Sequence, residues 1–210
     1  MELIFATNNL HKLHEVKEKL QLNNAKIQVI SLSEIGFFND IPETGITLQA
    51  NALQKAQTIF DFCGKNCFAD DTGLEIVALN GEPGVYSARY AERCWGEPCG
   101  RPSGSGVNPV PTFDDNINLV LSKLHGKINR KAYFKTVIAL FWNGKIHYFE
   151  GRIDGEITSE KHGTEGFGYD PIFRPEGYQE TFAELPLDEK NRISHRARAV
   201  DELVKFLSER

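Results

Sequence analysis

Asp70 and Asp71 stand side by side behind an apolar run and are followed by Thr72 and Gly73. Adjacent carboxylates repel one another unless a cation or hydrogen-bond donors offset the charge. A divalent metal is the remedy this placement favours, over a turn in which an Asp side chain binds its own backbone. The D-x-D-G-T pattern is absent, so phosphoaspartate chemistry has no support. A further carboxylate, Glu43, lies in Pro42-Glu43-Thr44-Gly45, followed by Asn51 and Lys55. Carboxylate oxygens in such a loop suit a hard cation; a plain helix-entry loop is the competing reading. Thr7-Asn8-Asn9-Leu10-His11-Lys12, with Glu15 beyond, falls where a strand gives way to a helix. The free N–H groups and dipole of a helix N-terminus attract phosphate. Capping and a solvated helix face explain the same residues.

Two further clusters complete the set. Gly163-Thr164-Glu165-Gly166-Phe167-Gly168-Tyr169-Asp170-Pro171 allows close backbone approach to a ligand, and its aromatics can stack on a base. It is neither a Walker A loop nor a dinucleotide G-x-G-x-x-G, and a tight turn with inward-packed aromatics remains the alternative. In Glu189-Lys190-Asn191-Arg192-Ile193-Ser194-His195-Arg196, Ser194 can cap the last helix. His195 and Arg196 then occupy its first turn, where cations oppose the dipole. That placement hints at a ligand that offsets it, against a reading as solvated surface.

The elements that must position these residues follow from apolar spacing. Residues 3–6 read as a short buried strand and 27–30 as a second. Leu13, Val16 and Leu20 recur at helical spacing across 10–20. Residues 36–45 form a loop. Residues 47–62 read as a helix with Thr47 as its cap. Residues 67–69 read as a short strand ending at the two acids, and 74–79 as β-like up to the turn Asn80-Gly81. Residues 112–124 are helical. Residues 132–142 and 146–157 are β-rich and flank Asn143-Gly144, a strong hairpin signal. Residues 172–173 read as a strand remnant, and 194–210 as an amphipathic helix with Ala197, Val200, Leu203, Val204 and Leu207 on one face. Residues 93–111 are rich in Gly, Pro and Ser and read as a mobile loop insertion. The fold class is α/β with a mixed sheet flanked by helices.

A length of 210 residues suits one domain, either single or built as two lobes around a cleft. The net charge of −5 and the lack of a basic stripe argue against a nucleic-acid partner. No stretch reaches the roughly 20 apolar residues of a membrane span, and the start lacks a signal-peptide pattern. The expected location is the cytoplasm. Cys63, Cys67, Cys94 and Cys99 do not have zinc-ribbon spacing and read as free thiols of a reducing compartment. A Cys94–Cys99 disulfide would need an oxidising one.

Taken in order, these motifs resemble those of the inosine triphosphate pyrophosphatases, also called dITP/XTP or non-standard purine nucleoside triphosphate pyrophosphatases. That family's T/S-x-N-x-x-K-x-x-E is similar to Thr7, Asn9, Lys12 and Glu15. Its E-T-G-x-T is similar to residues 43–47, and its N-A-x-x-K-A to 51–56. Its D-D-S/T-G-L matches 70–74, its P-G-x-Y-S-A-R-Y matches 83–90, its G-F-G-Y-D-P-I-F matches 166–173, and its E-K-x-x-I-S-H-R matches 189–196. Any one is weak, but seven in order span nearly the whole chain. Ala50 departs from the family, which often has Glu there, and the loop from Cys94 to Pro111 is longer than usual.

The resemblance implies an elongated mixed sheet flanked by helices, with two lobes around a deep nucleotide-binding cleft, and a homodimer. It implies Mg2+-dependent hydrolysis of deaminated purine nucleoside triphosphates to the monophosphate and pyrophosphate. Glu43 and Asp71, with Asp70 or Glu15, would hold the metal. Asp71 would position or deprotonate the water that attacks the α-phosphorus. Thr7, Asn9, Lys12, Lys55 and Lys190 would neutralise the phosphates, with Asn8, Leu10, His11 and Thr72 also at the substrate. Phe167 would stack on the purine, with Gly168, Tyr169 and Asp170 lining its pocket. His195 and Arg196 would donate to the 6-oxo group. Three rivals are a Maf-like pyrophosphatase with another base choice, a non-catalytic nucleotide-binding regulator, and a nucleic-acid-binding module. The H-R pair and the G-F-G-Y-D loop argue against the first, and the complete set of carboxylates and lysines against the second.

Overall fold

A computed structural model describes residues 1–23, 26–94 and 112–209, with Arg93 and Cys94 by backbone alone. The loop expected over 93–111, with Cys94 and Cys99, otherwise lies outside the described residues. The chain runs β1 (Glu2–Phe5), α1 (Leu10–Leu22), β2 (Gln28–Ile30), α2 (Leu48–Cys63), β3 (Cys67–Ile76), β4 (Pro83–Gly84) and α3 (Tyr90–Cys94). It continues through α4 (Phe113–Lys123), β5 (Lys131–Trp142), β6 (Lys145–Ile157), β7 (Phe173–Pro175), α5 (Leu187–Ile193) and α6 (His195–Ser208). The strand order is β2-β1-β3-β5-β6-β7, with β4 beside β3. β1 pairs parallel with β2 and β3, whereas β3–β4 and β6–β7 are antiparallel. The α/β class with a mixed sheet holds.

The described residues divide into two compact units. The first comprises Met1–Thr72, Phe134–Ile153 and Pro186–Arg210; the second comprises Gly73–Tyr133 and Asp154–Leu185. In the first unit, side chains alternate across the strands, as a period of two requires. Leu3, Phe5, Phe68, Ile138 and Leu140 share one core with Val16 and Leu20 of α1 and with Ala199, Val200, Leu203 and Leu207 of α6. Ile4, Ala6, Cys67, Ala69, Ala139 and Phe141 share the other with Ala52, Ala56 and Ile59 of α2. In the second unit, Leu74, Ile76, Ile117, Val120 and Leu124 are buried, as are Phe173 and Phe182, whose rings lie 5.2 Å apart.

Several boundaries differ from the sequence reading. The short strand at 67–69 and the β-like run at 74–79 are one strand, β3, with the two acids inside it. Both acids are buried and hydrogen-bonded, so the strand continues past them instead of turning. β3 stops at Ile76, and a 3-10 turn covers Val77–Leu79 before Asn80, whose φ is 54°. Helices α3 and α5 are additions; both are short and lack a long apolar period. Thr47 and Ser194 cap α2 and α6 as expected, accepting hydrogen bonds from Ala50 N and Ala197 N. Asn143 and Gly144 both adopt positive φ, 49° and 74°, which joins β5 to β6 by the tight turn their sequence predicts. No helix among the described residues is long and apolar enough to cross a membrane.

Candidate active site

Strand alternation decides what each acid of β3 meets. Phe68 faces the core shared with α1 and α6, so Asp70 and Thr72 follow on that face. Cys67 and Ala69 face α2, so Asp71 does too. Asp70 accepts from Lys12 Nζ at 3.1 Å and from Arg196 Nε at 3.1 Å. Asp71 accepts from Lys55 Nζ at 3.2 Å and from Asn51 Nδ2 at 3.1 Å. The repulsion between the adjacent acids is offset in this structure by cations and hydrogen-bond donors of the chain itself. Each points to its own side of the strand and finds its own cation.

On the first face, helices α1, α5 and α6 pack together. Glu15 of α1 is 5% exposed and accepts from Lys190 Nζ at 2.6 Å and from Arg196 Nη1. Arg196 Nη2 donates to Thr72 Oγ1 at 3.2 Å, and that hydroxyl lies 2.7 Å from Thr136 Oγ1. Burial opposes ionisation of Asp70 and Glu15, but their cations outweigh it and hold both carboxyls below the usual range. Arg196 is held firmly protonated by Glu15 and Asp70 against the same burial. Arg196, at the start of α6, thus faces the chain's own carboxylates. His195 is buried and stacked on Phe134, with centroids 4.6 Å apart and planes 15° apart. Burial, with Arg196 and Lys190 nearby, pushes its imidazole well below its ordinary value, so it is neutral.

The N-terminus of α1 is capped internally. Asn9 Oδ1 accepts from His11 N at 2.9 Å and from Lys12 N at 3.2 Å, while Thr7 Oγ1 accepts from Asn9 N at 3.2 Å. Two of the N–H groups offered to phosphate by the sequence argument are thus engaged by the cap. Asn8 Nδ2 donates to Asn39 O at 3.4 Å, and Leu10 and His11 are exposed. Burial lowers the Lys12 ammonium, partly offset by Asp70.

On the α2 face, Lys55 Nζ bridges Asp71 and Glu43. Burial works against its charge, yet Asp71 and Glu43 raise it above its ordinary value. The Asp71 carboxyl is raised, by burial first and Glu43 after it, against Lys55 and Lys12. Asn51, fully buried, also accepts from Gly45 N at 2.7 Å. The sequence reading noted Asn51 with Glu43 and Lys55 but gave it no role, and it did not single out Thr136, which sits in an apolar strand with no signal of its own.

In the second unit, Gly166 and Gly168 have φ of 77° and 64°. Asp170 Oδ2 accepts from Phe167 N at 2.8 Å, and Tyr169 Oη donates to Ser87 O at 2.9 Å. Both side chains are buried and hold the loop. Phe167 and Gly168 are half-buried, and the Phe167 ring is 6.3 Å from that of Phe113.

Among the described residues, no three Asp, Glu, His or Cys side chains converge on a point. Glu15 and Asp70 are engaged by Arg196, whereas Glu43 and Asp71 already face one cation, Lys55, from a loop and a strand. Two carboxylates completed by water and phosphate oxygens are the usual donor set of Mg2+.

Residues 3–206 match the model of the Ham1 family. The dITP/XTP pyrophosphatase of Flavobacterium johnsoniae is 49% identical over 208 residues, covering 99% of this chain and 98% of the relative. That of Porphyromonas gingivalis is 49% identical, covering 98% and 97%. Among solved structures, a HAM1 protein from Coxiella burnetii superposes with a TM-score of 0.82 at 38% identity, covering both chains completely at 100%. The nucleoside-triphosphatase / dITP/XTP pyrophosphatase of Mycobacterium abscessus gives 0.71 at 34%, covering 97% of this chain and 98% of its own. Over this length and identity, the chain belongs to the Ham1 family.

Proposed function

We propose that this chain hydrolyses the deaminated purine nucleoside triphosphates dITP, ITP and XTP to the monophosphate and pyrophosphate, using Mg2+ and clearing these nucleotides from the pool. The observation that carries this reading is the buried charge of the first unit. There Lys12, Lys55, Lys190 and Arg196 face Glu15, Glu43, Asp70 and Asp71. Relatives of nearly the same length named dITP/XTP pyrophosphatase support it.

Burying so many ions is costly unless each is paired. The lysines are the exchangeable members, since an ammonium can leave a carboxylate for a phosphate oxygen. Phosphoryl transfer depends chiefly on positioning and charge neutralisation. Lys12, Lys55 and Lys190 neutralise the triphosphate, with Thr7, Asn8, Asn9, Leu10, His11 and Thr72 as its further contacts. Glu43 and Asp71 hold Mg2+, which when bound supplies charge neutralisation and a more acidic water. Asp71 takes the proton of the attacking water as that water adds to the α-phosphorus and pyrophosphate departs. His195, neutral when buried, donates to the 6-oxo group, with Arg196 beside it. An adenine amino group would set donor against donor, at about 1–3 kcal/mol for each unpaired group. Phe167 keeps the base-stacking role and Gly168 the pocket-lining role that the resemblance implies, with Tyr169 and Asp170 holding their loop. The proposed assembly is a homodimer in the cytoplasm, which sedimentation of the purified chain tests.

The function is tested by pyrophosphate release from ITP, XTP, dGTP and ATP with Mg2+, for the wild type and Asp71→Asn. Turnover of ITP and XTP alone, lost in the variant, is the expected result. Equal turnover of all four would sink the base-selection argument, and no release from any would sink the reaction.

A further inference from the structure

Asn51 does not belong to the set of phosphate, metal or base contacts, yet it is fully buried and its amide is used at both ends. Its Oδ1 accepts from Gly45 N at 2.7 Å, and its Nδ2 donates to Asp71 Oδ2 at 3.1 Å. It is therefore a second link, beside Lys55, between the loop that carries Glu43 and the carboxylate proposed as base.

The contacts around it are organised by the helix. Residues 51, 54 and 55 lie on one face of α2, at i, i+3 and i+4. Gln54 Oε1 accepts from Thr44 N at 3.0 Å, Asn51 takes Gly45, and Lys55 takes Glu43. Three successive loop residues are thus held by one helix face. Asn51 and Lys55 also divide Asp71 between them: Nδ2 of Asn51 goes to Oδ2, and Nζ of Lys55 goes to Oδ1. Lys55 is an ion that substrate or metal can draw away, whereas Asn51 is neutral and packed. A Cβ built on Gly45 would fall 2.8 Å from Asn51 Oδ1 and 2.7 Å from Ala50 Cβ. The loop approaches α2 this closely only because residue 45 is glycine.

We infer that Asn51 is a positioning residue that ties the Glu43 loop to Asp71, setting the separation of these two carboxylates and the rotation of Asp71 so that Oδ1 faces the reacting side. The inference rests on the proposed roles of Glu43 and Asp71. It assigns to Asn51 no contact with substrate or metal.

Two variants separate the two bonds. Asn51→Asp keeps an acceptor for Gly45 N but replaces the donor to Asp71 by a second carboxyl oxygen. Asn51→Ala removes both bonds. Three readouts are taken on the full chain: the hydrogen-exchange rate of the Gly45 amide without nucleotide, Mg2+ binding by calorimetry, and kcat and KM for XTP. A residue supporting a metal ligand through hydrogen bonds commonly affects metal affinity or activity by about 10–100-fold. Asn51→Ala is expected to speed Gly45 exchange more than about tenfold and to weaken Mg2+ binding about tenfold. Asn51→Asp is expected to leave Gly45 protected while kcat falls about 100-fold and KM changes by less than about threefold. Unchanged Gly45 exchange in Asn51→Ala, or a kcat within about threefold of wild type in Asn51→Asp, would overturn the inference. Failure of the functional reading is distinct, because it would appear as a wild type that turns over no nucleotide.

Discussion

Gly151, on β6, provides a direct test of how the first turn of α6 is seated. A Cβ built there would lie 2.0 Å from His195 O, 2.5 Å from Ala199 N and 3.0 Å from Arg198 Cβ. The first two are backbone atoms and cannot rotate away. An ordinary carbon–oxygen contact is about 3.3 Å, so Gly151→Ala obliges α6 to retreat by roughly 1.3 Å. The turn is also fastened nearby, since Arg198 Nη1 donates to Arg152 O at 2.6 Å and its Nε to Ile193 O at 3.0 Å. A retreat of that size takes the Arg196 bonds to Asp70 and Thr72, at 3.1 Å and 3.2 Å, beyond hydrogen-bond reach. Overpacking of this kind costs about 1–3 kcal/mol, and a misplacement near 1 Å costs about 100-fold in turnover. Urea unfolding and steady-state kinetics on XTP measure the two effects. A variant within about 0.5 kcal/mol of wild type with near-normal kcat would show that α6 is not registered by this contact and refute the reasoning.

Other perturbations read the remaining parts of the site. Arg196→Met leaves the buried Glu15 and Asp70 paired with Lys190 and Lys12 respectively, and should lower stability by about 3 kcal/mol in urea melts; a loss below about 1 kcal/mol would mean the lysines suffice. His195 is lowered in the folded state, so below its ordinary value of 6.5 the unfolded chain binds the extra proton. Stability should therefore rise with pH up to that value and fall beneath it, with a slope of at most about 1.4 kcal/mol per pH unit from this group. His195→Gln should flatten that part of the stability profile, and an unchanged slope would remove the imidazole as its cause. Gly166→Ala places a Cβ 2.2 Å from Asp170 Oδ2 at a φ of 77°, which breaks the bond to Phe167 N. It should raise KM for XTP more than it lowers kcat, and the reverse pattern would remove the loop from base binding.

By itself, the sequence determined the local pieces, because these depend on neighbours along the chain. Apolar spacing placed α1, α2, α4 and α6, Asn143-Gly144 placed the β5–β6 turn, and Thr47 and Ser194 declared their caps. The order of motifs also carried the family, which the match over residues 3–206 bears out. Tertiary structure decided what each charge faces. Asp70 and Asp71 are adjacent in the chain, but strand alternation sends one to Lys12 and Arg196 and the other to Lys55 and Asn51. Arg196 reads as a cation awaiting a ligand until Glu15, 181 residues away, is seen beside it. Gly151 and Thr136 carry no local signal, since a close approach and a hydroxyl pair exist only when distant segments meet. Periodicity reports which face of an element is buried. Which partner it is buried against depends on packing between segments that the chain leaves far apart.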